Sequence, residues 1–171
     1  SGMDRISAIL TITAETSLRV RHARLSDEAL LLIWANDPET RQNSFSPDHI
    51  PAEDHRRWFY NRLRNLDGCR LYIVETEDRI PIGQVRFEKN DHKWEIDYSL
   101  APHFRRKGLG RPLLKAALLK MRSEYPGALV LGRVKPDNLP SRKIFESLDF
   151  DIVPNSGGVV YQRMLWCRKL D

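Results

Sequence analysis

Six consecutive residues, Arg105-Arg106-Lys107-Gly108-Leu109-Gly110, join three cations to two glycines at alternate positions. Glycines let a backbone come close to a ligand and take angles closed to other residues. Arg111 and Lys115 add charge just beyond. If a helix starts at this point, its free amides and the positive end of its dipole converge on the same place. That combination suits a diphosphate. The flanking stretches supply the elements that must hold it. Before it, Trp94 to Leu100 alternates, with Ile96, Tyr98 and Leu100 on one face and Glu95, Asp97 and Ser99 on the other. A period of two predicts a strand. After it, Leu109, Leu113, Ala116, Ala117, Lys120 and Met121 keep the spacing of an amphipathic helix that starts near Gly108.

Two common phosphate loops fail on detail. Leu113 stands where G-x-G-x-x-G needs its third glycine, and no acidic residue closes a following strand at the usual distance. No Gly-Lys-Ser/Thr follows either. The stretch resembles instead the coenzyme A signature of the GNAT N-acetyltransferase superfamily, Arg/Gln-x-x-Gly-x-Gly/Ala after a strand ending in apolar-x-Pro. Arg105, Gly108 and Gly110 carry it, with Leu100 and Pro102 before them. A second match follows in order, from Val134 through Asn138, Ser141 and Phe145 to Leu148-Asp149-Phe150. The resemblance runs from residue 18 to residue 166.

That resemblance implies an α/β (α+β) chain with the GNAT fold. Its mixed, mostly antiparallel central sheet would have about seven strands flanked by four helices. The coenzyme site would lie where two central parallel strands splay. It implies acetyl-coenzyme A as co-substrate, with Tyr98, Ser99 and Leu100 along the pantetheine arm. Amides from Arg106, Lys107, Gly108, Leu109, Gly110 and Arg111, with Arg105, would hold the diphosphate. Asn138 would bond the pantetheine and Ser141 would lie near the phosphates.

Acetyl transfer to an amine needs a polarised thioester carbonyl, a base for the ammonium proton and, least strictly, an acid for the thiolate. Direct attack needs no covalent enzyme intermediate, and no metal ligands are spaced for a site. Here the chain departs from its relatives. Phe145 stands where many have a tyrosine acid, and Arg133 where some have a glutamate base. The remaining carboxylates in that neighbourhood are Glu95 and Asp97, the candidates for the base; pairing with Arg86 or Lys93 is the alternative use of that polar face.

The acceptor side is read from Trp34 to Phe59. Its N-D-P-x-x-R run and its His55-x-x-Trp58-Phe59 run resemble acetyltransferases of bacterial nucleotide-linked amino sugars, in particular those of the pseudaminic acid type. That resemblance implies a small-molecule amine such as a UDP-amino-sugar, with Arg41, Asn43, His55, Trp58 and Arg86 as acceptor contacts. Ribosomal-type protein N-terminal acetyltransferases share the pattern. A coenzyme-binding regulatory domain without activity is the third reading, which loss of the tyrosine and glutamate would permit.

The rest of the chain bounds these readings. With 171 residues, 41% hydrophobic and 30% charged, it predicts one soluble domain over residues 17–171. Ser1-Gly2-Met3 reads as a tag remnant, and residues 4–16 as an added strand or a linker. No span or leader is evident, which predicts a cytoplasmic protein. Cys69 and Cys167 predict reduced structural thiols. The net charge of +5 gathers around the diphosphate loop, which argues against nucleic acid as the partner. The oligomeric state is left open.

Overall fold

The computed structural model describes residues 2–155 and 157–166. Cys167 lies outside them. Seven strands form one sheet in the order β1-β2-β3-β4-β5-β7-β6. They are β1 (Leu18–His22), β2 (Cys69–Thr76), β3 (Pro81–Asn90), β4 (Lys93–Leu100), β5 (Leu129–Val134), β6 (Asp151–Val153) and β7 (Val159–Met164). Among the described residues only β4 and β5 pair in parallel; every other neighbour is antiparallel. The two alternating runs before β4 form the expected meander, and a long helix makes the crossover from β4 to β5.

Six α-helices occur among the described residues: α1 (Gly2–Leu10), α2 (Glu28–Ala35), α3 (Pro38–Asn43), α4 (Ala52–Arg64), α5 (Gly110–Glu124) and α6 (Leu139–Ser147). Two of these depart from the sequence reading. The first is α1, which forms where a strand or linker was expected; its chain continues into Ile12, only 4% exposed in the core. The second is α3, inside the polar linker. Asp37 caps it by accepting the Thr40 amide at 3.2 Å, and Pro38 sits in its first turn. A capping aspartate and an N-terminal proline make a helix from residues with no apolar stripe.

Helix α5 begins at Gly110, two residues later than expected. Its buried stripe is Leu113, Leu114, Ala117, Leu118 and Met121, whereas Ala116 and Lys120 fall on the flank. It packs across β1 to β4. Helices α2 and α4 pack together. Arg21 of β1 fastens the start of α2, with Asp27 at 2.8 and 2.9 Å and Glu75 at 3.1 Å. Cys69 is a free buried thiol, and burial pushes it up to about 11. It stays protonated and inert.

The tip of the Phe145 ring, from α6, abuts Gly132 of β5, and the ring stacks on Tyr161 at 5.4 Å and meets Phe150 edge-on at 5.0 Å. A Cβ at residue 132 would stand within 2.9 Å of three atoms of the Phe145 ring, closer than contact allows. Gly132→Ala therefore forces the ring off the sheet and should cost about 1–3 kcal/mol. Urea unfolding reads this as a lower midpoint at unchanged slope; an unmoved midpoint would show that the ring does not rest on this backbone.

Candidate active site

The parallel pairing of β4 with β5 runs from Lys93/Leu129 to Ile96/Gly132 and stops. Beyond it β5 stays with β7, through Arg133/Val160 and Val134/Val159. Strand β4 stays with β3 through Asp97/Arg86, Tyr98/Val85, Ser99/Gln84 and Leu100/Gly83. One edge of β4, from Asp97 to Leu100, is thus left without a strand partner in the middle of the sheet. An unpaired strand edge can take an extended, amide-bearing ligand. A cavity of about 820 Å³ opens there, within the range of small-molecule sites. Its wall is drawn from α2, α3, α4, β3, β4, β5, α6 and the loop before α5.

The two faces of β4 line different parts of this cavity. Tyr98 reaches α6, where its hydroxyl and that of Ser141 lie 2.8 Å apart. Burial pushes the Tyr98 phenol up to about 12, so it stays protonated. Ser141 is 9% exposed and spends its hydroxyl on Tyr98. Asn138 caps α6 by accepting the Ser141 amide at 3.3 Å, which leaves its NH2 group for other partners. Leu100 points the same way, 3.9 Å from where a Cβ on Gly110 would stand.

The loop before α5 divides its work unevenly. Gly108 has φ +71 and Arg106 φ +61, left-handed backbone of the kind that forms anion-binding concavities. Arg106, Lys107 and Gly108 are exposed. Gly110 does something else. A Cβ there would stand 2.6 Å from Ile144, so this glycine lets α5 and α6 touch instead of clearing a ligand. Leu109 is 1% exposed and anchors the loop in the core. Arg111 reaches Ser147 at 3.2 Å, off to the side. Arg105 is half-buried against α3, with Asp37 at 2.7 Å and Glu39 at 3.1 Å.

On the other face of β4, Asp97 accepts the Gln84 amide at 3.1 Å, with Arg86 at 3.6 Å. Its side chain is 57% exposed and lines the cavity. Glu95 is ion-paired with Arg133 and lies off the cavity wall. Of the two carboxylates, only Asp97 faces the open space. The pairing with Arg86 foreseen for this face is present beside it; no pairing with Lys93 is seen. Arg86 also meets Glu88 at 3.1 Å and stacks 4.8 Å over Trp58. Arg41 lines the cavity, yet its guanidinium clips the Ser46 and Asp48 carbonyls at 2.9 and 3.4 Å. Asn43 stands on the rim.

Gln84 was not singled out from the sequence. It is 8% exposed, donates to Asp97 and Ser99, and leaves its carbonyl oxygen without a protein partner. Only the β3–β4 register, which sets it opposite Ser99, reveals it. His55 is 3% exposed and lines the cavity, held flat against Phe59 and tilted against Trp58. Its Nδ1 has no protein partner. Among the described residues no cluster of His, Cys, Asp and Glu could hold a metal ion, and no helix is long and apolar enough to cross a membrane.

Residues 17–151 match the family described as an acetyltransferase (GNAT) domain. No curated protein gives a significant sequence match. Solved structures share the architecture at low identity. Spermidine N-acetyltransferase from Vibrio cholerae, in complex with coenzyme A and spermine, is 16% identical with a TM-score of 0.74, covering 86% of this chain and 95% of that one. Ribosomal-protein-alanine N-acetyltransferase from Brucella melitensis is 21% identical, with a TM-score of 0.70 over 86% and 99% of the two chains. An aminoglycoside acetyltransferase in complex with coenzyme A is 20% identical, with a TM-score of 0.69 over 85% and 93%.

Burial lowers the pKa of His55, although Glu28 nearby pulls the other way. The imidazole is therefore neutral in the folded protein at pH 7. As pH falls through about 6.5, the unfolded chain binds a proton that the folded one resists, so stability drops. His55→Phe removes this contribution. Between pH 7.5 and 5.5 the variant's urea midpoint should fall less than that of the unaltered protein; equal falls would mean the imidazole is not held neutral.

Proposed function

Because the chain belongs to the GNAT family of acetyltransferases, we propose that it moves the acetyl group of acetyl-coenzyme A to the primary amine of a nucleotide-linked amino sugar. The pantetheine arm lies along the free edge of β4 beyond Ile96, where backbone groups satisfy its amides and polarise the thioester carbonyl. The diphosphate meets the amides between Arg106 and Gly110. The amine enters from the α3–α4 side, towards Asp97.

The sugar-nucleotide reading rests on one observation, the sign of the wall. Arg41, Arg86, Arg105, Arg106, Arg133 and Lys135 line the cavity against Glu39, Asp54 and Asp97. Arg105 and Arg106 belong to the donor loop, and Arg133 is paired with Glu95. On the acceptor side Arg41, Arg86 and Lys135 thus stand against Asp54 and Asp97, a positive excess that suits an acceptor carrying negative charge better than a polycation. Trp58 adds an aromatic wall for a sugar or base.

The residues divide the chemistry. Asp97, fixed by Gln84, takes the ammonium proton directly or through one water. The freed amine attacks the carbonyl, the N–C bond forms and the C–S bond breaks. The second proton of the attacking nitrogen leaves through water to the departing thiolate, since Phe145 has none to give. Glu95 serves to hold Arg133.

Steady-state turnover of acetyl-coenzyme A with a UDP-linked 4-amino-4,6-dideoxyhexose, with spermidine and with a peptide bearing a free N-terminus tests this reading. The nucleotide sugar should give the highest kcat/KM. A preference for the peptide supports a ribosomal-type enzyme and one for spermidine a polyamine enzyme; either sinks the proposal. No turnover despite coenzyme binding would mark a regulatory domain. In the same assay Asp97→Asn should lower kcat by about 10²–10⁴-fold, while Glu95→Gln changes it far less.

A further inference from the structure

The first arginine of the coenzyme loop points away from the loop's exposed amides. Arg105 has a side chain only 16% exposed, and its guanidinium is surrounded by the start of α3. Asp37 lies at 2.7 Å, Glu39 at 3.1 Å and the Thr40 hydroxyl at 3.0 Å. Burial alone would push the Asp37 carboxyl up, but the Arg105 hydrogen bond and the Thr40 amide hold it below its ordinary range. The pair is therefore charged at neutral pH. Its neighbour Arg106 differs: its side chain is 82% exposed and reaches Glu39 only at 3.5 Å.

Helix α3 is the part of the cavity wall over the acceptor side, and it has little holding of its own. None of its residues is buried. It is tied at points. Lys135, after β5, donates to the Gln42 carbonyl at 2.9 Å. Asn36 and Ile50 exchange two hydrogen bonds at 2.8 Å across the α2–α4 gap. The Phe45 ring lies 3.4 Å from where a Cβ on Gly158 would stand. The densest tie is Arg105.

We propose that Arg105 is a positioning residue that joins the donor and acceptor halves of the site, and not a ligand of the diphosphate. Its side chain fixes α3 to the same six-residue loop whose amides receive the phosphates. Ordering that loop therefore orders the acceptor wall. Binding of the coenzyme and shaping of the amine site become one event. The inference rests on the donor site proposed above.

Two variants separate this role from a phosphate contact. Arg105→Gln removes the charge from the loop side. Asp37→Asn removes it from the α3 side, leaves every loop residue unaltered and keeps a residue able to cap. Calorimetry with coenzyme A gives donor affinity, and backbone hydrogen exchange over residues 37–44, with and without coenzyme A, gives the coupling. In the unaltered protein coenzyme A should slow exchange in that segment by about tenfold or more, the scale of one charge-assisted bond. Both variants should keep coenzyme affinity within about threefold and lose most of that protection. By contrast Arg106→Gln should weaken coenzyme binding and keep the protection at saturation. Tenfold weaker binding in Arg105→Gln would make it a phosphate ligand and overturn the proposal. So would equal protection in all variants, or none in the unaltered protein. Failure of the unaltered protein to bind coenzyme A at all would instead remove the donor site itself.

Discussion

The parting of β4 from β5 after Ile96 and Gly132 is the constraint on which the rest of the structure depends. Two neighbouring parallel strands cannot diverge cheaply, because each leaves backbone groups that need partners. Strand β5 solves this by staying with β7 to its end. Strand β4 keeps β3 on one side and offers the other edge to the cavity. Gly132 and Phe145 mark the point of divergence. The bare backbone of the glycine lets the ring settle on the sheet, and the ring occupies space between α6 and β5. A site of this kind needs few dedicated side chains, since the backbone of one strand and one loop does most of the recognition.

The division of labour among side chains follows from that geometry. On the α6 face of β4, Tyr98 and Ser141 satisfy one another and present a smooth, neutral wall. The opposite face holds Asp97, Gln84 and Ser99 in one small network, with Arg86 and Trp58 beside it. Charge is confined to this side and to the loop. The buried groups left without protein partners, His55 Nδ1 and the Gln84 carbonyl, belong to residues that line this same cavity. An unpartnered buried polar group is costly, so its persistence at a cavity wall points to a ligand or water as its partner.

Much of the donor half was legible in the chain. The period-two run of β4, the glycines at 108 and 110 and the amphipathic run of α5 are local patterns, and local patterns survive in sequence. What the glycines do was less legible. Gly108 turns the backbone, whereas Gly110 admits Ile144, a residue of another helix. The fate of Arg105 was hidden for the same reason: its partners Asp37, Glu39 and Thr40 lie 65 or more residues away, and no periodicity encodes that distance. Helix α3 was hidden by the lack of an apolar stripe, and α1 by a short apolar run that reads equally well as strand. The His55-x-x-Trp58-Phe59 run marks His55 as an acceptor contact but does not show that the rings of Trp58 and Phe59 enclose it. The acceptor half is assembled from long-range pairs, so register and tertiary packing had to be seen before its carboxylates could be told apart.

The central claim is that one free strand edge and one loop together receive the donor. Diffraction from crystals grown with acetyl-coenzyme A measures this directly. Diphosphate oxygens should lie about 2.7–3.2 Å from the amides between Arg106 and Gly110. Pantetheine amides should pair with β4 between Asp97 and Leu100, and the Arg105 side chain should still turn towards Asp37. A coenzyme lying elsewhere, or a diphosphate gripped by side chains with those amides unused, would contradict that claim.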